Sequence, residues 1–295
     1  YGGVVPEVAG RLHAEAIVPL IEEVLAGKKP DTIAVTTGPG LITGLIVGVE
    51  AARTLSAAWQ IPLVAVNHIE GHIHSAELES GPLTKFPALA LVVSGGHTEL
   101  ILMRDHGDYK ILGKTRDDAA GECFDKVAKL LGLPYPGGPE ISRLAEAGNP
   151  EAINFPRPMI NEKIDFSSPG ARLPLGSSSG REPDGQGPAF GWSFAGLKTA
   201  ALYYLRDHTL AAMHVNPIRF PAGVYGQSPE APTQNDFCAS IEAAIVDVLV
   251  AKTRRAALEY QPQAVLLVGG VAANKKLRTT LELVLKNELP KTEFR

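Results

Sequence analysis

Hydrophobic and polar positions along this chain repeat with two different periods, and the changes of period mark out its elements. Residues 12 to 26, LHAEAIVPLIEEVLA, set Leu12, Ile17, Leu20, Ile21, Val24 and Leu25 at helical spacing, with Gly27 as the stop. DTIAVTT then reads as a short strand ending at Gly38-Pro39-Gly40, TGLIVGVEAARTLSAAWQ as a helix, and PLVAVN as a second strand. That order predicts a βαβ unit: parallel strands, a right-handed crossover, and ligands at the carboxyl ends of the strands.

From Phe86 the period changes. PALALVVS, Gly95-Gly96, HTELILMR and YKILG predict an antiparallel meander turning at glycines, and with it a second lobe. The expected division is 1–85 and 86–295. A helix follows in DDAAGECFDKVAKLLGL, then the punctuated loop PYPGGP and a short helix to about Gly148. The stretch 150–192 is the least regular, and GSSSGREPDGQGPAFGW within it reads as an insertion. Helices return in SFAGLKTAALYYLR and, after a Pro-interrupted connection, in DFCASIEAAIVDVLVAKTRRAALEY. In the latter, Phe237, Ile241, Ala244, Ile245, Val248 and Leu249 share one face. The strand AVLLVGG and the helix VAANKKLRTTLELVLKN close the pattern, and no fixed-period repeat appears.

Composition narrows the class. With 295 residues, 45% of them hydrophobic and 20% charged, the chain can fill the cores of two lobes, which excludes a stapled mini-protein or a long disordered chain. No apolar run approaches the roughly 18 residues of a membrane span, and YGGVVPEVAGRLH is no signal peptide, so the expected compartment is the cytoplasm. Cys123 and Cys238 lie far apart with no CxxC spacing, so both are expected reduced and buried. The 28 basic and 32 acidic residues give a net charge of −4, so any RNA partner needs a local basic face. Tyr1-Gly2-Gly3 lacks an initiator Met and the chain stops at Phe294-Arg295 after a helical segment, which reads as an incomplete polypeptide.

Candidate chemistry sits where periods change. His68-Ile69-Glu70-Gly71-His72 follows the strand PLVAVN; on a helix, its histidines four apart project side by side, as one metal ion requires. Capping or part-buried histidines are the plain alternative. Glu70 stands one residue too late for a zincin general base, and His74 is a weaker third candidate. Imidazole nitrogens suit iron or zinc better than magnesium.

Ser94-Gly95-Gly96-His97-Thr98 occupies a hairpin tip, where glycine amides and the two hydroxyls could meet an anion, or where the glycines serve only a turn with φ > 0. Gly269-Gly270-Val271-Ala272-Ala273-Asn274 joins a strand to a helix without the GxGxxG spacing, and Asn274 could read a nucleoside or simply cap the helix. Asp125 lies mid-helix within pairing distance of Lys129, and Gly137-Gly138, bracketed by prolines, reads as a tight loop able to close over a sugar or as a plain loop. Two basic clusters, Lys252 with Arg254 and Arg255, and Lys275 with Lys276 and Arg278, could contact phosphates or be solvated faces.

Taken in order, YGGVVPEVAGRLH, TTGPGLITGLIVG, HIEGH, LVVSGGHTEL, DDAAGECFDKVAKLLGLPYPGGP, FPRPM, SFAGLKTA and VGGVAANKKLR resemble one family across nearly the whole chain: the tRNA threonylcarbamoyladenosine-synthesis transferases, once described as O-sialoglycoprotein endopeptidases. The resemblance implies an α/β, two-lobed actin-like, Hsp70-like, sugar-kinase-like fold with ribonuclease-H-like sheets and a nucleotide-type ligand between the lobes. It implies transfer of the threonylcarbamoyl group from threonylcarbamoyl-adenylate to N6 of the adenine 3′ of the anticodon, in tRNAs reading codons that begin with A.

By motif, His68 and His72 become ligands of one metal ion, Fe2+ or Zn2+. Val92, Val93, Ser94, Gly95 and Gly96, with Asp125, Gly138 and Asn274, become substrate contacts. Ser142 stands where only some members place an acidic contact. A paralogue subunit with a small ATPase, or a homodimer, is the implied assembly, with no membrane. The family also carries an earlier Asp-Glu turn and a later metal-binding Asp, so the first lobe is expected to be incomplete here, and these 295 residues alone to hold metal weakly and turn over negligibly. Two alternatives remain: a non-catalytic scaffold subunit, and a small-molecule kinase of the same fold.

Overall fold

The computed structural model describes residues 4–161, 190–210 and 232–295. The chain divides into two compact units, 1–78 and 79–295. The glycine- and serine-rich part of the expected insertion, and the Pro-interrupted connection before the long late helix, lie outside the described residues.

Unit 1 is built on a βαβ unit. β1 (Ile33–Gly38) pairs in parallel with β2 (Leu63–Asn67), Ile33 opposite Leu63, and α2 (Ile42–Trp59) makes the crossover. Ahead of it, α1 (Pro6–Leu25) starts a turn and a half earlier than its periodicity predicts, because Pro6 fits the first helical turn, where its missing N–H costs nothing. Ala26 and Gly27 end it with positive φ, as the Gly27 stop predicts. α1 buries none of its side chains fully: Leu12, Val18, Leu20 and Val24 are exposed. α3 (His68–Ser75) begins directly at the end of β2, and the one-turn helix α4 (Glu77–Ser80) falls at the division between the units.

Unit 2 contains the meander: β3 (Ala88–Val93), β4 (Thr98–Asp105) and β5 (Asp108–Lys114) run antiparallel. α5 (Ala120–Leu130), α6 (Gly137–Ala145), α7 (Ala195–Leu210) and the long α8 (Gln234–Tyr260) follow. Then come β6 (Ala264–Val268), a 3-10 turn (Gly270–Ala273), α9 (Lys275–Glu288) and β7 (Glu293–Phe294). The sheet order is β5-β4-β3-β6-β7, with β6 parallel to β3 and β7 parallel to β6. On one face Leu89, Leu91 and Val93 of β3, Leu100 of β4 and Leu267 of β6 pack with Phe124 of α5, Leu197 of α7, Ile245 of α8 and Leu281 of α9. Each such buried side chain contributes about 2 kcal/mol.

Three readings are corrected here. α5 starts at Ala120 rather than Asp117, because Asp117 is used elsewhere: Oδ1 accepts the N–H groups of Phe194 and Ala195 and Oδ2 the Ser193 hydroxyl, which holds the start of α7. The expected helix from Val271 splits at Asn274 into a 3-10 turn and α9. The chain's last residues form β7, a strand too short for any period to announce.

Candidate functional site

In unit 1 the local sequence sets up a histidine pair. The Asn67 side chain accepts the N–H groups of Ile69 (2.8 Å) and Glu70 (3.4 Å), which starts α3 at His68. Ile69 and Ile73 are buried and fix the helix's rotation. The four-residue spacing then sets His68 beside His72, ring centroids 4.5 Å apart in an edge-on arrangement. Partial burial, and then the neighbouring His68, hold the His72 pKa below its ordinary value, so its imidazole is a neutral nitrogen donor near pH 7. His74 faces Glu77, Nδ1 to Oε1 3.2 Å.

In unit 2 the remaining candidates lie at the end of β3 and the turn after it, on α5, at the start of α6 and at the start of α9. Val92 and Val93 are fully buried in β3 and place the turn that follows rather than presenting side chains. In that turn Ser94 Oγ accepts the N–H groups of Gly96 (3.4 Å) and His97 (3.1 Å), and Ser94 N–H donates to the His97 carbonyl at 2.8 Å. The expectation that the tip's amides point outward at an anion is thus corrected for Gly96 and His97: both turn inward. Thr98 is likewise engaged, its hydroxyl oxygen accepting the Ala120 N–H at 2.9 Å, while the Ser94 carbonyl accepts the Gly121 N–H at 3.2 Å. The hairpin thereby caps α5.

Gly95 and Gly96 are exposed, have ordinary φ values, and have nothing within 4 Å of where a Cβ would stand. The alternative of a turn that needs φ > 0 is therefore overturned. Gly269 is the contrast: φ is +95°, and a Cβ there would lie 2.4 Å from the Val93 carbonyl oxygen, so this glycine lets the β6 turn close against β3.

Asp125 makes no pair with Lys129 among the described contacts. Its Oδ1 accepts the Gly137 N–H at 2.7 Å, bringing the start of α6 onto α5. Gly137 and Gly138 are consequently not a loop over a sugar but the first residues of α6. The physical reason is twofold: Asp125 satisfies an amide that helix starts leave unpaired, and a Cβ on Gly137 would lie 2.2 Å from Ala128 Cβ.

Asn274 is 9% exposed and does cap α9, Oδ1 accepting the Leu277 N–H at 2.8 Å. Its Nδ2 donates to Ser142 Oγ (2.9 Å) and to Glu242 Oε1 (2.7 Å). Sequence reasoning missed Glu242. The available signal was a carboxylate inside the apolar run ASIEAAIVDVLV of α8. The basic cluster of Lys252, Arg254 and Arg255 dissolves: Lys252 is fully buried and donates to the Gly191 carbonyl, Arg254 pairs with Glu288, and Arg255 donates to the Ile160 carbonyl. Lys275 pairs with Glu146 while staying highly exposed, and Arg278 lies over the Phe294 ring at 5.7 Å. Cys123 and Cys238 are free and buried, and burial pushes both thiols up to about 12.

A family model, TsaD: tRNA N6-adenosine threonylcarbamoyltransferase, matches residues 1–294. The chain belongs to this family. A tRNA N6-adenosine threonylcarbamoyltransferase of Anaeromyxobacter dehalogenans (strain 2CP-1 / ATCC BAA-258) is 46% identical over 94% of this chain and 72% of the relative. Those of Geobacillus kaustophilus (strain HTA426) and Bacillus subtilis (strain 168) are each 45% identical, over 100% and 96% of this chain and 74% and 70% of their own lengths. Among solved structures, HypF of T. kodakarensis is similar with a TM-score of 0.56 and 13% identity, over 94% of this chain and 40% of that one. A full-length HypF crystallised with phosphate and nucleotide gives 0.55. At that identity the likeness concerns the α/β fold. Membership in the threonylcarbamoyltransferase family removes the kinase alternative. No helix among the described residues is long and apolar enough to cross a membrane.

Proposed function

We propose that the two units divide the family's reaction between them, unit 1 holding a metal ion at His68 and His72 and unit 2 binding the adenylate. The reaction is tRNA modification by an acyltransferase: the threonylcarbamoyl group passes to N6 of a tRNA adenosine. The donor is threonylcarbamoyl-adenylate, and the acceptor is the adenine 3′ of the anticodon in tRNAs reading A-starting codons. The amine nitrogen attacks the carbamoyl carbon, the bond from that carbon to the phosphate oxygen breaks, AMP leaves with the electron pair, and the amine proton goes to solvent. AMP is a good leaving group, so no acyl-enzyme is required.

The observation that carries the reading is the pair of exposed glycines at the β3 hairpin. Neither backbone geometry nor packing within the chain calls for glycine at 95 and 96, whereas a ligand lying against the backbone does. Around it, Ser94 keeps a hydroxyl proton to donate, Asp125 keeps a second carboxylate oxygen, and Gly138 and Asn274 open two further helices.

In unit 1, two imidazoles on one helical face fit a borderline metal, Fe2+ or Zn2+. A metal bound there would supply positive charge for the carbonyl or carboxylate of the threonylcarbamoyl group. The order β5-β4-β3-β6-β7, antiparallel in the meander and parallel beyond it, supports a ribonuclease-H-like sheet and hence the actin-like, Hsp70-like, sugar-kinase-like fold.

The exposed apolar side chains of α1 support a protein partner in the cytoplasm, either a paralogue subunit working with a small ATPase or a second copy. Introducing His68→Ala with His72→Ala into the encoding gene of the producing cell tests the reading. Nucleosides from that cell's tRNA are expected to lose threonylcarbamoyladenosine, and an unchanged level refutes the assignment.

A further inference from the structure

We propose that Glu242 is a positioning residue that fixes Asn274 as a hydrogen-bond acceptor toward the nucleoside; this rests on the reading of Asn274 as an adenylate contact. Glu242 is 5% exposed on α8, flanked by the buried Ile241, Ala243 and Ala244. Apolar packing gives no reason for a carboxylate there, and burying one unpaired costs several kcal/mol. Its Oε1 accepts from Asn274 Nδ2 at 2.7 Å.

The consequence lies in the amide's orientation. An asparagine side chain has two nearly isosteric settings, oxygen and nitrogen exchanged, and a carboxylate, which only accepts, admits one of them. Together with the Leu277 N–H, which can only donate, the Glu242 carboxylate turns Nδ2 toward itself, and Nδ2 spends its donors there and on Ser142 Oγ, 2.9 Å away. Oδ1 is turned to the first turn of α9, where it accepts from Leu277 at 2.8 Å with one lone pair left. Asn274 thus offers a ligand an acceptor and no donor, which matches a ribose hydroxyl or an amino group and not a phosphate oxygen.

The test is titration with AMP, followed calorimetrically, with thermal unfolding recorded in parallel. Glu242→Ala is expected to weaken AMP binding about fivefold, the worth of one hydrogen bond. Glu242→Gln, whose amide oxygen still accepts from Nδ2, is expected to bind within about twofold of wild type. The double variant with Asn274→Ala is expected to be no weaker than Asn274→Ala alone, since Glu242 acts only through that side chain. Glu242→Met, apolar and nearly isosteric, supplies the same comparison if the alanine cavity unfolds the protein. Weakened binding by Asn274→Ala with unchanged binding by Glu242→Ala and Glu242→Met overturns the positioning role. Unchanged binding by Asn274→Ala itself instead overturns the reading of the adenylate contact, and the positioning role falls with it.

Discussion

Asp125 Oδ1 accepts the N–H of Gly137 at 2.7 Å, so a carboxylate in the middle of one helix caps the first residue of the next. The contact gives Asp125 two duties, since the resemblance also makes it a substrate contact. Asp125→Ala is expected to lose about 1 kcal/mol of stability through the uncapped helix and to weaken AMP binding as well. Asp125→Asn keeps an acceptor for Gly137, so chemical denaturation should find it close to wild type while calorimetry still finds weaker AMP binding. Equal stability of the wild type and Asp125→Ala would contradict the cap.

Gly137 and Gly269 are packing glycines. Alanine at 137 drives a methyl against Ala128, and alanine at 269 both meets the Val93 carbonyl and must adopt φ near +95°. Each substitution is expected to cost about 1–3 kcal/mol, read as a lower denaturation midpoint. A midpoint within error of wild type in either variant would show that the neighbouring segment moves freely.

Glu99 makes a pH-dependent prediction. It is buried in β4 and its pKa is raised, first by burial, against the opposing pull of Lys114, 3.7 Å away. Between the unfolded value near 4.5 and the higher folded value, the native state holds more protons than the unfolded chain, so this residue's contribution to stability falls as pH rises through that window. Glu99→Gln should therefore be more stable than wild type at pH 7, with the gain vanishing below about pH 4.5. Denaturant titrations at the two pH values check it, and a gain equal at both would refute the linkage.

The histidine pair predicts metal retention. After incubation with Fe2+ or Zn2+ and desalting, His72→Ala is expected to keep at least about tenfold less metal than wild type, measured by elemental analysis. Loss of metal in His74→Ala to the same degree would move the site away from the His68–His72 pair.

Much of this architecture is legible in the sequence because each signal is local. The meander shows in the short apolar runs ALALVV and LILM on either side of Gly95-Gly96, and the start of α3 shows in Asn67 followed by a helical histidine spacing. What stayed hidden depends on partners far along the chain. PYPGGP reads as a loop until Asp125 and Ala128 meet Gly137, and Asp117 reads as helix until it caps the start of α7. Glu242 stands out in the sequence only as a carboxylate inside an apolar run of α8, and its partner, Asn274, lies 32 residues further on. Lys252 looks like part of a basic face, and is in fact fully buried.

The account centres on Gly95 and Gly96 as backbone kept bare for a ligand rather than for the fold. The most direct test is the AMP dissociation constant of Gly95→Val and Gly96→Val beside that of wild type. Both side chains have open space within the chain, so folding should be undisturbed while the dissociation constant rises by about tenfold or more. An unchanged dissociation constant in both variants would contradict the assignment of this hairpin to the adenylate.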